Sequence, residues 1–173
     1  GGAHPGGMNI ADDNFVIFVP IGRAINPITK TNWEGTGVSP DIEISSIKAL
    51  TKAQILALEK ISQNKTDERE INSSKWLIES LTATMNDIEI DNTLLKNYSG
   101  NYGDRKVYFE NGKLYYQRNG RQKFELTPMS EDTFMIKDIS YFRVRFDKDQ
   151  TGKVTGLTGL YDDGKSDRSE KSE

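Results

Sequence analysis

The feature that most constrains this chain is a series of short alternating segments between Tyr98 and Leu160, separated by turn signals. In most of these segments every second residue is apolar, which is the period of a β-strand with one buried face. Asn111-Gly112 and Asn119-Gly120 favour the positive φ of tight hairpins. We therefore predict an antiparallel β-meander that closes into a small barrel or forms a strongly coiled sheet, with Val154–Leu160 as its sixth strand and Gly152 in the turn before it. The alternating apolar pairs are Val107/Phe109, Leu114/Tyr116, Phe124/Leu126, Phe134/Ile136 and Phe142/Val144, with Phe146 continuing the last pair, and Tyr98–Gly103 is a candidate for one more strand.

The residues before this region follow a helical period instead. Thr51 and Gln54 have the spacing of a capping box, which predicts the start of a first helix. A second helix is predicted from about Ser73 to Met85, and the polar stretch 64–70 between them is predicted to be a loop. The two helices have the pattern of a connector with one apolar side.

The first 45 residues predict less structure. The apolar run Phe15–Val19 predicts a strand buried on both faces, Val38–Ile44 predicts a second strand, and Gly1–Gly7 predicts a loop. Two strands cannot form a core of their own, so this segment must dock on something. We interpret the chain as a fragment of a longer protein. We expect Phe15–Val19 to pack on the helices or to exchange strands in a homodimer.

Composition excludes several kinds of chemistry. The chain has no cysteine and one histidine, His4, which rules out cysteine nucleophiles, thiolate metal centres and multi-histidine sites. We expect no metal and no cofactor. A net charge of −3 predicts no nucleic-acid partner, and no apolar run is long enough for a membrane-spanning helix. The segment Asp147–Gly152 has the carboxylate spacing of half a calcium loop, but Thr158 at the twelfth position favours a hairpin turn.

Four stretches of the first segment carry a resemblance to a known family: Gly1–Gly6, Phe18–Pro27, Asn32–Val38 and Pro40-Asp41. In these residues the segment resembles the end of the catalytic domain of the tail-specific, or C-terminal-processing, serine peptidases. It is most similar to the branch of interphotoreceptor retinoid-binding protein and the tricorn core protease.

The resemblance implies where catalysis would lie. The nucleophilic serine would precede Gly1, and no basic residue before Arg23 matches the lysine of a Ser–Lys dyad. Glu34 matches the supporting acid of the tricorn-like branch, which would orient a histidine supplied from upstream. The alternative is a turn carboxylate beside Gly35. His4, Gly6 and Gly7 are candidates for substrate binding. For His4 the alternative is a residue that caps a loop. The glycine run could also supply backbone N–H groups to an oxyanion.

The last segment carries a second resemblance, in residues Tyr98, Gly100, Tyr102, Gly103, Glu110–Tyr116, Leu126, Pro128, Phe134, Arg143, Arg145, Phe146 and Gly152–Val154. In these residues it resembles the small β-rich domain that follows such peptidase domains in many bacterial envelope proteins. The resemblance implies a periplasmic, cell-envelope or secreted location and a peptide or protein as substrate of the parent protein.

Two functions therefore stay open. The first is the C-terminal fragment of a serine peptidase, with the fold class α+β. Its parts would be the orphaned end of a peptidase α/β domain (1–45), two connector helices (46–90), an antiparallel β-meander or small barrel (91–161) and a charged, frayed tail (162–173). This chain alone should be inactive. The second is a non-catalytic module that binds peptide, glycan or protein. Alternation points Arg143 and Arg145 away from the core, where they form either a merely solvated face or, with Tyr115, Lys123 and Tyr141, a basic-aromatic binding surface.

Overall fold

A computed structural model describes residues 4–172 of the chain. They divide into two compact units, with the boundary between Ile44 and Ser45. The fold is α+β, with three helices, a two-stranded sheet and an eight-stranded antiparallel sheet nearly closed into a barrel, as the sequence predicts. Among the described residues no helix is both long enough and apolar enough to cross a membrane.

The first unit is built around a β-hairpin. Strand β1 (Gly6–Ile10) pairs antiparallel with β2 (Val16–Pro20), Gly6 facing Pro20 and Ile10 facing Val16. The turn is held by Asp12, whose Oδ1 accepts the backbone N–H groups of Asn14 at 2.7 Å and Phe15 at 3.0 Å.

Three expectations for this unit are wrong. The glycine-rich opening contributes to β1 instead of forming only a loop, and residues 38–44 form no strand. The run Phe15–Val19 is exposed rather than buried on both faces, because a ribbon of two strands has nothing in this unit to cover either face. Of Gly1–Gly7, the first three residues lie outside the described part.

The helices begin earlier than the sequence predicts. Helix α1 spans Ser46–Ser62 and helix α2 spans Glu68–Met85, so Thr51 lies within α1 and residues 68–70 are helical. Asp67 caps α2, its Oδ1 accepting the N–H groups of Arg69 and Glu70 at 2.9 and 3.1 Å. A short helix that the sequence did not predict, α3 (Asn92–Tyr98), leads directly into the barrel.

The barrel is a simple meander in which each strand pairs with the next. The predicted strands are confirmed, including the candidate near Gly100. The strands are β3 (Gly100–Tyr102), β4 (Arg105–Glu110), β5 (Lys113–Arg118), β6 (Phe124–Pro128), β7 (Thr133–Ile136), β8 (Ile139–Lys148), β9 (Val154–Tyr161) and β10 (Ser166–Glu170).

The segment predicted to be a frayed tail is in fact the last barrel strand. β10 pairs with β9 along its whole length, Asp167 facing Gly159 and Glu170 facing Gly156. A bridge between Tyr102 and Lys171 then joins the last strand to the first. The charged C-terminal segment therefore brings the barrel close to closure.

The two Asn-Gly pairs differ in outcome. Asn111 and Gly112 have φ of 52° and 78° and connect β4 to β5 as the predicted two-residue hairpin. Asn119 and Gly120 also have positive φ, but pairing of β5 with β6 resumes only at Tyr116 and Phe124. The N–H of Asn119 donates to the carbonyl of Asp104 at 2.8 Å, so this turn is bonded to the loop between β3 and β4. The connection from β5 to β6 is therefore longer than a tight hairpin.

One end of the barrel is filled by α3 and aromatic side chains. Tyr98 is fully buried and stacks on Phe146 with ring centroids 4.2 Å apart. Its hydroxyl donates to the carbonyl of Glu131 at 3.0 Å, and Tyr102 donates to the carbonyl of Tyr98 at 2.7 Å. We call this the plugged end.

Candidate functional site

The residues predicted from the peptidase resemblance lie on two elements of the first unit. His4 is exposed just before β1, and Gly6 and Gly7 are the first residues of that strand. Glu34 lies after β2 in a turn closed by hydrogen bonds from the N–H groups of Thr36 and Gly37 to the carbonyl of Trp33. The backbone N–H of Glu34 donates to Oδ1 of Asn32 at 2.6 Å.

The two glycines differ in their surroundings. A Cβ built on Gly6 would lie 2.3 Å from the carbonyl oxygen of Val19, so the close pairing of β1 and β2 admits only glycine there. A Cβ on Gly7 would meet open space. Gly6 therefore has a packing reason to be glycine, and Gly7 has none within its own unit.

A second candidate site lies at the end of the barrel opposite α3. Neighbouring antiparallel strands run in opposite directions, so the starts of β4, β6, β8 and β10 meet the ends of β5 and β9 at one rim. The residues this brings together are Arg105, Arg118, Phe124, Phe142, Tyr161 and Asp167. We call this the open end.

Arg105 is the buried cation of the open end. It is 1% exposed, and its Nη2 donates to the carboxylate of Asp167 on β10 while Nη1 donates to the carbonyl of the same residue at 3.2 Å. Burial is the largest single influence and raises the pKa of Asp167, but the hydrogen bond and charge of Arg105, together with the charge of Arg118, outweigh it and the pKa is lowered. Room for the pair comes from Gly159, where a Cβ would lie 2.5 Å from Oδ1 of Asp167 and 2.7 Å from the ring of Phe142.

Arg118 forms a second ion pair at this rim. Its Nε donates to Oδ2 of Asp104 at 2.7 Å, and this hydrogen bond raises the pKa of Arg118 and lowers that of Asp104. Both side chains are partly exposed, so the pair is solvated.

A cavity of about 210 Å³ opens between these side chains. Its wall is made mostly of aromatic rings, and its polar lining consists of two arginines and a glutamine: Tyr116, Phe124, Ile139, Tyr141, Phe142 and Tyr161 with Arg118, Arg121 and Gln122. Tyr116 is 5% exposed, and its hydroxyl has no hydrogen-bond partner. Burial raises the pKa of Tyr116, so this hydroxyl keeps its proton.

The predicted basic-aromatic surface is divided in the structure. Arg143 is 4% exposed and not solvated, because α2 covers it: its guanidinium lies 3.6 Å from the ring centroid of Trp76 and donates to Glu79 at 2.6 Å. The indole N–H of Trp76 in turn donates to the carbonyl of Ser140 at 2.6 Å. Arg143 therefore tethers α2 to the barrel and cannot belong to an exposed surface.

Lys123 and Arg145, two other members of the predicted surface, lie apart from Arg143. Lys123 lies 5.0 Å from the ring centroids of Tyr108 and Tyr115, with Glu110 bonded to its ammonium at 2.6 Å. Arg145 is exposed, as predicted, and lies 3.6 Å from Asp147. Each of these cations already has a carboxylate near it.

The segment Asp147–Gly152 is a hairpin turn, as the sequence favours. Oδ1 of Asp149 accepts the N–H groups of Thr151 at 2.8 Å and Lys153 at 3.0 Å. Within residues 4–172 no group of three or more histidine, aspartate or glutamate side chains could hold a metal ion.

Sequence reasoning missed Arg105 and Asp167. A signal for the first was present, because Arg105, Val107 and Phe109 share one face by alternation, which places an arginine on the inward side of β4. No comparable signal marks Asp167, because its partner lies 62 residues away.

No protein-family model matches the chain, and no solved structure matches it significantly.

Proposed function

We propose that this chain is the C-terminal part of a serine peptidase of the tail-specific type, and that residues 1–44 complete its catalytic domain. The observation that supports this proposal is the exposed apolar ribbon of the first unit. Met8, Ile10 and Phe18 are 72%, 81% and 53% exposed on strands that alone would be marginal. A surface of this kind needs a covering partner, and the resemblance identifies it as the rest of a peptidase α/β domain.

In this proposal Glu34 is a positioning residue. It would orient and charge-compensate a histidine supplied by the upstream part of the domain, as the third member of a triad does. The backbone beside it is fixed, since Asn32 accepts the N–H of Glu34 and donates to the carbonyl of Ala24. His4, Gly6 and Gly7 would border a bound peptide, and the parent protein would act in the cell envelope on peptide or protein substrates.

The test uses the protein encoded by the whole reading frame. We expect labelling by a serine-directed fluorophosphonate probe and hydrolysis of an unstructured polypeptide, whereas the 173-residue chain alone shows neither. Glu34→Gln should lower kcat at least 10-fold with little change in KM, and Glu34→Asp should restore part of it. Glu43→Gln, an exposed glutamate in the same unit, is the matched control. Probe-sensitive turnover by the 173-residue chain, or full activity of the Glu34→Gln parent, would contradict the proposal.

A non-catalytic binding module is the second candidate, and the aromatic cavity at the open end favours it. This function needs no upstream nucleophile. A reading frame without a serine helix before Gly1 would support it against the peptidase proposal. The homodimer expected through Phe15–Val19 stays a prediction, which light scattering would check.

A further inference from the structure

The cavity at the open end combines an apolar body with a cationic mouth. Tyr116, Phe124, Phe142 and Tyr161 form its wall, while Arg118 and Arg121 are its charged lining residues. No carboxylate among residues 4–172 lines it. From this arrangement we infer that the cavity binds a small aromatic monocarboxylate, with the ring inside the barrel end and the carboxylate at the arginines.

The size of the cavity sets the size of the ligand. A cavity of about 150 Å³ in another protein accommodates a benzene molecule. The 210 Å³ here therefore has room for one aromatic ring and a short chain, and it is below the range of about 300–1,000 Å³ typical of drug-sized ligands. The ring walls suit an aromatic body, since aromatic pairs pack edge-to-face or offset.

The charge at the mouth sets the head group. Arg118 is paired with Asp104, but the guanidinium of Arg121 has no ion pair among residues 4–172. One unpaired guanidinium matches one carboxylate, which it can bind through two parallel hydrogen bonds. A ligand with two or more negative charges would find a second arginine that is already neutralised.

The hydroxyl of Tyr116 is the independent sign of a missing partner. The residue is 5% exposed, lines the cavity, and its hydroxyl has no hydrogen-bond partner. A buried polar group left unpaired is costly, so native structures rarely retain one without a reason. The carboxylate of the ligand, held at the arginines, would supply the acceptor that this hydroxyl lacks.

The site can be tested on the 173-residue chain and does not depend on the peptidase proposal. We would titrate the chain with 3-phenylpropionate and, as matched neutral probe, with 3-phenylpropanamide, following binding by calorimetry and by tyrosine ring signals in NMR. We expect the acid to bind at least 10-fold more tightly than the amide. Equal affinities for the acid and the amide would overturn the inference. So would the absence of binding at an acid concentration of about 10 mM, which is roughly ten times a millimolar Kd.

Three variants separate the parts of the site. Arg121→Gln, at an exposed position where folding is not at risk, should remove the preference for the acid, while Arg145→Gln, an exposed arginine elsewhere on the barrel, should leave it intact. Tyr116→Phe should weaken acid binding several-fold without removing the preference over the amide. An Arg121→Gln chain that still prefers the acid, or an equal loss in Arg145→Gln, would contradict the assignment.

Discussion

The two ends of the barrel are closed by different chemistry. At the plugged end, Tyr98 is fully buried and its hydroxyl is bonded to the carbonyl of Glu131. At the open end, Arg105 is just as buried, but it is bonded to a carboxylate of the last strand and its Nε has no partner. The hydrogen bonds of the first arrangement join residues 33 and 4 positions apart. The second joins residues 62 positions apart and leaves space for a cavity.

The difference teaches where this fold is strongest. Aromatic packing with every hydroxyl bonded contributes burial without an unpaired group. A buried cation contributes less net stability, because its desolvation offsets most of the attraction to its partner. We therefore expect the plugged end to carry more of the free energy of unfolding and the open end to be specialised for binding.

The largest expected effect is that of Tyr98→Ala. Truncating this ring removes its contacts with Phe146 and Phe134 and leaves a cavity in the core, which typically costs about 3–5 kcal/mol of unfolding free energy. Urea denaturation followed by circular dichroism measures it. Tyr141→Ala, a ring 56% exposed at the open end, should change the free energy of unfolding by about 0.5 kcal/mol or less. Similar losses in the two variants would show that the ends do not differ.

A smaller effect is expected for Arg105→Ala, about 2–3 kcal/mol, which is at or below the lower end of the range of about 3–5 kcal/mol for breaking buried ion pairs. The reason is that Asp167, the partner left behind, has a side chain 46% exposed and can be hydrated by water. The same denaturation experiment applies. Arg145→Ala serves as the control, since Arg145 is exposed.

The Arg105 variant also tests what holds the last strand in place. If β10 depends on this ion pair, its amide protons should exchange faster in Arg105→Ala, whereas those of β5 should change less. Unchanged protection of β10 would mean that backbone pairing with β9 alone secures the barrel.

The sequence predicts the apolar strands of the barrel better than its charged last strand. The meander from Val107 to Val154 is readable because its strands alternate and its inward residues are apolar. β10 is not readable, because Ser166–Glu170 contains no apolar residue and its inward carboxylate is explained only by a distant arginine. The exposure of Val16 is equally unreadable, since an apolar run predicts burial without revealing whether a covering element is present.

The candidate site divides in the same way. Arg105 could have been recognised from its alternation with Val107, and Arg143 was placed on the correct face of β8. That α2 covers Arg143 could not be predicted, because a strand's period says which side a residue faces and not what packs there. The cavity itself arises from strand ends that are far apart in sequence, so only the closed barrel brings it together.

The smallest expected effect is a pH dependence that belongs to the open end. The pKa of Asp167 is lowered in the folded chain, so protonation is easier in the unfolded chain, where the pKa is about 3.9. Its contribution to stability is therefore complete above that value and is lost as the pH falls through the folded pKa. Asp167→Asn should flatten the decline of the free energy of unfolding below about pH 5. Because the pKa values of other aspartates are lowered as well, part of the decline should remain in this variant; these are Asp91, Asp104, Asp132, Asp149 and Asp163. The control is Asp138→Asn, which removes an exposed carboxylate between β7 and β8 and should leave the decline as it is in the unmodified chain. A decline unaltered by Asp167→Asn would show that the ion pair of Arg105 with Asp167 does not stabilise the open end.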